Sequence, residues 1–232
     1  MIEATLVLVC KRPSPGVGKQ RLAAKLGQVA ALQIAEALLA CALEDAMPWP
    51  GPVVIAPTGL NDTAWAYGLI ASLPRSDIKI LSQSEGNLGQ RLNALDRTLR
   101  LQGNSQLVFV GSDAPGLNEQ VYQTVRDMLQ RVDIVLIPAD DGGVVLMANR
   151  SPWPELSSLP WSSDRLGQAL NAACLLNGQT VRMVGQGYDV DEAEDLLRLL
   201  VELPQDLRPA RQALLRLVES NLDLLKAAHV AI

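Results

Sequence analysis

The chain has 232 residues, 48% hydrophobic but only 3% aromatic, with a formal net charge of −5. That size permits one large domain around a core of Leu, Val, Ile and Ala, while the acidic balance argues against a duplex nucleic-acid binder, which would carry a basic face. Three scattered cysteines (Cys10, Cys41, Cys174) fit no metal spacing and read as reduced cytoplasmic thiols, and the single histidine, His229, leaves no internal imidazole for catalysis or zinc.

TLVLVC (5–10) is an apolar, β-rich run of the kind buried on both faces of a sheet. A loop follows to about Gly27, then residues 28–45 carry apolar positions at helical spacing and end at PWPGP. VVIA (53–56) is a second strand, LNDTAWAYGLIASL a helix with Asn61 or Asp62 near its cap, and IKIL (78–81) a third strand. NLGQRLNALDRTLRLQ is a helix stopped by Gly103. QLVFV (106–110) is a fourth strand, NEQVYQTVRDMLQR a helix and DIVLIP (133–138) a fifth strand. GVVLMA (143–148) is a sixth strand, SSDRLGQALNAACLLN a helix and TVRMV (180–184) a last strand. Two helices, DEAEDLLRLLVEL and RPARQALLRLVESNLDLLKAA, finish the chain.

This alternation predicts an α/β fold: a mostly parallel, Rossmann-like open sheet with right-handed crossovers and helices on both faces. The gap between 133–138 and 143–148 is too short for a helical crossover, so that strand enters antiparallel or by a local switch. Residues 1–204 read as one domain and 205–232 as its C-terminal helical extension, whose amphipathic 208–228 stretch can pack on its own domain or on a second copy as a homodimer. The N-terminal apolar run is too short for a span and follows an acid, Glu3, unlike a signal peptide. The stretch 29–43 is broken by Gln33 and Glu36, so no membrane span is expected.

Ligands of open α/β sheets bind beyond the carboxyl ends of the strands. Five loops there are unusually polar: KRPSPGVGKQR, SQSEGNLGQR, GSDAPG, PADDGG and GQGYDVDEAED. The first matches neither a Walker loop nor a dinucleotide fingerprint, because one residue separates Gly16 from Gly18 and Gln20 follows Lys19. Yet Met1–Gly27 holds five basic residues (Lys11, Arg12, Lys19, Arg21, Lys25) against one acid. Such a cluster suits an anion, with Lys and Arg pairing to phosphate oxygens and glycines such as Gly16 letting the backbone approach; it also suits a solvated surface loop. Asp113, directly after a buried strand, suits a hard cation such as Mg²⁺, or Ser112 and Asp113 cap a turn. Asp140, Asp141, Gly142 and Gly143 read as a hairpin turn or as acids beside Asp113. Asp191 with Glu194 reads as a capping box, leaving Asp189 as a candidate second metal ligand. Ser162 or Ser163 reads as a helix cap. Cys10 reads as a small buried hydrophobe, not a nucleophile.

Six segments, CKRPSPGVGKQRL, SQSEGNLGQRL, VFVGSDAPGL, IPADDGGVVL, PWSSDRL and YDVDEAEDL, occur in the order seen in a bacterial glycosyltransferase-like family, the radical-SAM/selenodomain-associated transferases. The resemblance spans roughly residues 4 to 200. That family resembles the nucleotide-diphospho-sugar transferase superfamily, with its GT-A fold, and more distantly guanylyltransferases acting on phospholactate and molybdopterin. The resemblance implies that Lys19 and Arg21, in the loop with Lys11 and Gly16, contact donor phosphates. It implies that Asp113 holds a divalent metal, Mg²⁺ or Mn²⁺, with Asp189 and Asp191. Asp141, Gly142 and Gly143 then line the acceptor or sugar side, with Asp141 catalytic beside Asp113, and Ser162 completes the pocket. The partners implied are a nucleotide or nucleotide-sugar donor and a small-molecule acceptor, with no nucleic acid. A nucleotidyltransferase releasing pyrophosphate and an inactive nucleotide-binding or regulatory protein are the alternatives. Gln20 replaces a usual Thr, and Val144 and Val145 replace a usual aromatic, which bears on phosphate contact and on stacking.

Overall fold

The computed structural model describes residues 3–223, so His229 and the end of the expected 208–228 helix lie outside the described residues. The chain divides into two compact units. One comprises residues 1–12, 46–111 and 117–188; the other comprises 13–45, 112–116 and 189–232.

The first unit holds the whole sheet. Its strands are β1 (Thr5–Cys10), β2 (Val53–Pro57), β3 (Ile78–Ile80), β4 (Leu107–Val110), β5 (Ile134–Pro138), β6 (Val144–Asn149) and β7 (Val181–Met183). They lie in the order β3-β2-β1-β4-β6-β5-β7. The β1–β2, β1–β4, β2–β3 and β5–β7 pairs are parallel, whereas β6 runs antiparallel to both β4 and β5. The sheet is thus mostly parallel, as expected of helix-linked strands. The one short connection, Ala139–Gly143, produces the antiparallel strand.

Successive strand residues point to opposite faces, and both sets are buried. Val7, Val54, Phe109, Ile134, Leu136 and Met147 form one cluster with Leu92, Leu95 and Leu99 of α4 (Leu88–Leu101) and Leu170 and Cys174 of α6 (Leu166–Leu176). The opposite set includes Leu6, Leu8, Ile55, Val108, Val135 and Leu146, and α5 (Glu119–Leu129) lies against β5 and β6. A fourth helix, α3 (Thr63–Ala71), packs beside β2 and β3. It is preceded by a 3₁₀ turn at Leu60–Asp62, and Asp62 stands at its cap without a capping bond. α4 starts on a complete capping box: Asn87 Oδ1 accepts from the Gln90 N–H at 3.0 Å and Gln90 Oε1 from the Asn87 N–H at 2.9 Å.

The second unit is helical: α1 (Gln20–Leu26), α2 (Gln28–Ala46), α7 (Ala193–Glu202) and α8 (Pro209–Ser220), with the short segment 112–116. Helix α1 corrects the expectation of a continuous loop to Gly27. Prolines and glycines punctuate only residues 13–18; QRLAAKL, which follows, is made of good helix formers and buries Leu22 and Leu26 one turn apart.

Candidate functional site

The first loop folds on itself before α1 begins. The Val17 N–H donates to the Ser14 carbonyl at 3.1 Å, and Gly16 (φ 74°) and Gly18 (φ 69°) take left-handed backbone that glycine adopts without penalty. The Gln20 amide donates back to the Gly16 carbonyl at 2.7 Å, so the residue standing where the resembling family has Thr braces the turn. Lys19, the next residue after Gly18, is also left-handed (φ 48°, ψ 35°). Among the described residues, Lys19 and Ser162 are the two non-glycine residues with positive φ. That backbone costs a side-chain-bearing residue on the order of 1 kcal/mol and tends to collect at functional positions.

The twist at Lys19 turns its side chain into a ring of oxygens. Its ammonium lies 3.0 Å from Asp113 Oδ2 and 2.8 Å from Asp191 Oδ1, and donates to the Val190 carbonyl at 2.6 Å. The Lys19 side chain is 6% exposed, whereas those of Asp113 and Asp191 are 42% and 55% exposed. Burial alone would push the Lys19 ammonium down; the carboxylates of Asp113 and Asp191 outweigh it and hold the group above the ordinary lysine value. The backbone fixes the acids too: the Val190 N–H donates to the Asp113 carbonyl at 2.8 Å, and Ser112 Oγ donates to Asp113 Oδ1 at 3.2 Å.

The start of α7 corrects the expected cap. Glu192, not Asp191, occupies the N-cap, and Asp195, not Glu194, accepts the backbone N–H groups of Asp191 and Glu192 at 2.9 and 2.7 Å. The shift by one residue leaves the Asp191 carboxylate available to Lys19. The basic first loop then meets an acidic helix start: Arg21 pairs with Glu192 at 2.9 Å and Lys25 with Glu194 at 3.7 Å. Lys19, Arg21 and Lys25 therefore already have acidic partners inside the chain. Lys11 is exposed in the first unit, and Asp189 stands half-buried two residues before Asp191. Among the described residues no three acids, cysteines or histidines gather as metal ligands, so Asp113, Asp189 and Asp191 do not form one cage.

Arg211 of α8, which sequence reasoning missed, supports the Asp113 segment. Its wholly buried guanidinium donates to the Pro115 carbonyl at 3.3 Å and to the Cys41 carbonyl, and pairs with Asp45 at 2.7 Å and Glu44 at 3.2 Å. A signal was present: Arg211, Leu214, Leu215 and Val218 share one helical stripe, which puts a cation on the buried face.

In the first unit, the loop between β5 and β6 is a tight turn. Asp141 Oδ1 accepts from the Gly143 N–H at 2.9 Å, and the Gly142 N–H donates to the Ala139 carbonyl at 3.0 Å. Gly142 (φ 85°) presses so closely on Asp164 that a Cβ there would lie 1.9 Å from its carbonyl oxygen. The Gly167 N–H donates to the Gly142 carbonyl at 2.8 Å, joining the turn to the start of α6. That helix begins at Leu166 with no side-chain cap; Ser163 closes the preceding turn by donating to the Pro160 carbonyl at 2.7 Å, and Ser162 is exposed in its left-handed conformation. Neither serine is therefore the expected cap. Burial, with Asp62 adding, pushes the Cys10 thiol up to about 12, as befits a packing residue.

No curated protein matches the sequence. Among solved structures, the chain is similar to a candidate nucleotide-diphospho-sugar transferase from Desulfovibrio desulfuricans G20, at a TM-score of 0.86 and 21% identity, covering 98% of this chain and 99% of that one. It is also similar to a cytidylyltransferase from Leptospira borgpetersenii (TM-score 0.53, 11% identity, 97% of each chain). A third likeness is to 4-diphosphocytidyl-2C-methyl-D-erythritol synthase from Anaerococcus prevotii (TM-score 0.52, 11% identity, 84% of this chain and 94% of that one). These likenesses establish an α/β fold of the nucleotide-diphospho-sugar transferase kind. Residues 38–163 match the family described as "Uncharacterized protein conserved in bacteria (DUF2064)", a stretch that includes Asp113, Asp141 and Ser162. With more than half of its 232 residues matched, the chain belongs to that family.

Proposed function

We propose that this chain is a metal-dependent transferase acting on a nucleotide-activated donor, glycosyltransferase-like and of the radical-SAM/selenodomain-associated type. The observation that carries the reading is the Lys19 ammonium shared by Asp113 and Asp191: a phosphate-binding type of side chain and two hard oxygen donors meet at one point. The acids fit a divalent cation on their chemistry, because Mg²⁺ and Mn²⁺ prefer oxygen ligands and commonly take one or two carboxylates together with substrate phosphates and water. The Lys19 ammonium already stands in for a cation there. When bound, the ion supplies charge neutralisation for the leaving phosphate.

The remaining roles belong to side chains. Lys19 and Arg21, with Lys11, offset the negative charge of the donor, and the backbone at Gly16 lets it approach. Asp113 and Asp191 would hold the cation. Asp141, Gly142, Gly143 and Ser162 keep the acceptor-side role that the motif order suggests. Rate enhancement then comes from positioning and fixed charge, which requires no histidine. The proposed domain, 1–204 with its extension 205–232, carries all these residues, and three unpaired, buried cysteines fit a cytoplasmic setting.

A second reading, nucleotidyl transfer with release of pyrophosphate, is favoured by the likeness to the cytidylyltransferase and the diphosphocytidyl-methylerythritol synthase. A calorimetric and thermal-shift screen of nucleotide sugars and nucleoside triphosphates, each with and without Mg²⁺ or Mn²⁺, tests both. Metal-dependent binding followed by release of a nucleoside diphosphate is the expected result. Release of pyrophosphate selects the second reading, binding without turnover makes the chain a nucleotide-binding protein, and no binding under any condition overturns the proposal.

A further inference from the structure

We propose that Lys19 is an internal counter-cation that withholds Asp113 and Asp191 from a divalent cation until an anionic ligand draws its ammonium away. The inference rests on the reading of those two acids as cation ligands. A lysine ammonium has three N–H donors and no acceptor, and here three oxygens face it: Asp113 Oδ2 at 3.0 Å, Asp191 Oδ1 at 2.8 Å and the Val190 carbonyl at 2.6 Å. Every donor is used, so Lys19 can hold a phosphate only by giving up a present partner.

The same oxygens are the ones a metal would take. A divalent ion bound to Asp113 and Asp191 would lie within a few ångströms of the ammonium, where like charges repel strongly away from bulk water. Ammonium and metal therefore compete. The exchange balances when both ligands arrive together: phosphate oxygens replace the carboxylates around the ammonium, and the metal replaces the ammonium between the carboxylates. Binding of anion and of cation is then mutually reinforcing, each raising the affinity of the other by the same factor.

Local structure permits the exchange. Lys19 stands just outside α1, which begins at Gln20, and follows the left-handed Gly18, so its side chain can swing without unwinding a helical turn. The two acids open toward solvent while the ammonium is covered, so both incoming ligands have access from the exposed side.

The test is Mn²⁺ binding to the full chain, read by electron paramagnetic resonance and calorimetry with no nucleotide present. Lys19→Met should bind Mn²⁺ about 10-fold more tightly than the unaltered chain, within the usual range for coupled sites. Lys19→Arg, which keeps the charge, should show no such gain. Lys25→Met removes an equal charge beside Glu194 and should also show none. Adding Asp113→Asn to Lys19→Met should abolish the gain. Unchanged or weaker Mn²⁺ binding by Lys19→Met, or an equal gain from Lys25→Met, overturns the inference; thermal melts of each variant establish that it is folded. If Lys19→Met shows no gain while the chain turns over a nucleotide donor, the inference fails and the proposed function stands. If the gain appears in a chain that binds no nucleotide, the proposed function fails and the counter-cation role of Lys19 stands.

Discussion

Two basic side chains of the helical unit, Lys19 and Arg211, sit in similar company and differ in one respect. Each is almost wholly covered, each faces two carboxylates, and each also donates to backbone carbonyls. The acids around Arg211 are covered as well, Asp45 at 4% and Glu44 at 19% exposed, whereas those around Lys19 are about half exposed. A cation sealed with its counter-charges has no alternative partner, and removing it strands buried carboxylates. A cation whose acids look outward can be exchanged, since water or a ligand is available to every group it leaves. The first cluster is a lock, and the second is the proposed site.

The contrast can be broken most forcefully at the lock. Arg211→Met should cost about 3–5 kcal/mol of stability in denaturant melts, and combining it with Asp45→Asn should recover part of that loss. A variant that melts with the unaltered chain would remove the distinction. At the site, Asp113→Ala should leave the melt nearly unchanged and lower turnover of the donor on the order of 100-fold, about 3 kcal/mol of barrier. Lys19→Met should cost only about 1 kcal/mol of stability, because Asp113 and Asp191 fall back on water. Arg21→Ala, losing an exposed pair with Glu192, should shift the melt by about 0–1 kcal/mol and less in high salt. The smallest effect is on pH. The Arg208 guanidinium holds the Asp206 carboxyl below its ordinary value, so its contribution is present above about pH 4 and fades as the pH falls through the lowered folded value. Acid titration of Asp206→Asn should lack that component.

The sheet was legible because buried strands announce themselves as uninterrupted apolar runs, and the short Ala139–Gly143 gap left an antiparallel entry or a local switch, of which β6 takes the first. Helix α1 was not, because a turn dense in proline and glycine masked the seven good helix formers behind it. Lys19, Asp113 and Asp191 were each singled out as site residues, but their sharing of one ammonium depends on three segments meeting in space, which no spacing encodes. The capping box at α7 slipped by one residue because five acids crowd positions 189–195 and several pairs satisfy the same pattern. Arg211 is harder to read, because an arginine on the apolar stripe looks from sequence like any other charge of an amphipathic helix.

Strand β6 has a topological consequence. It is the sole hydrogen-bonded link between β4 and β5, so a six-residue segment decides whether there is one seven-stranded layer or two smaller ones. Until the ribosome has delivered residue 149, four strands on one side and one on the other cannot be joined, and both would present raw edges to solvent. A proline at Met147, which faces Phe109 on one neighbour and Leu136 on the other, would cut the layer in half more surely than any change at its rim.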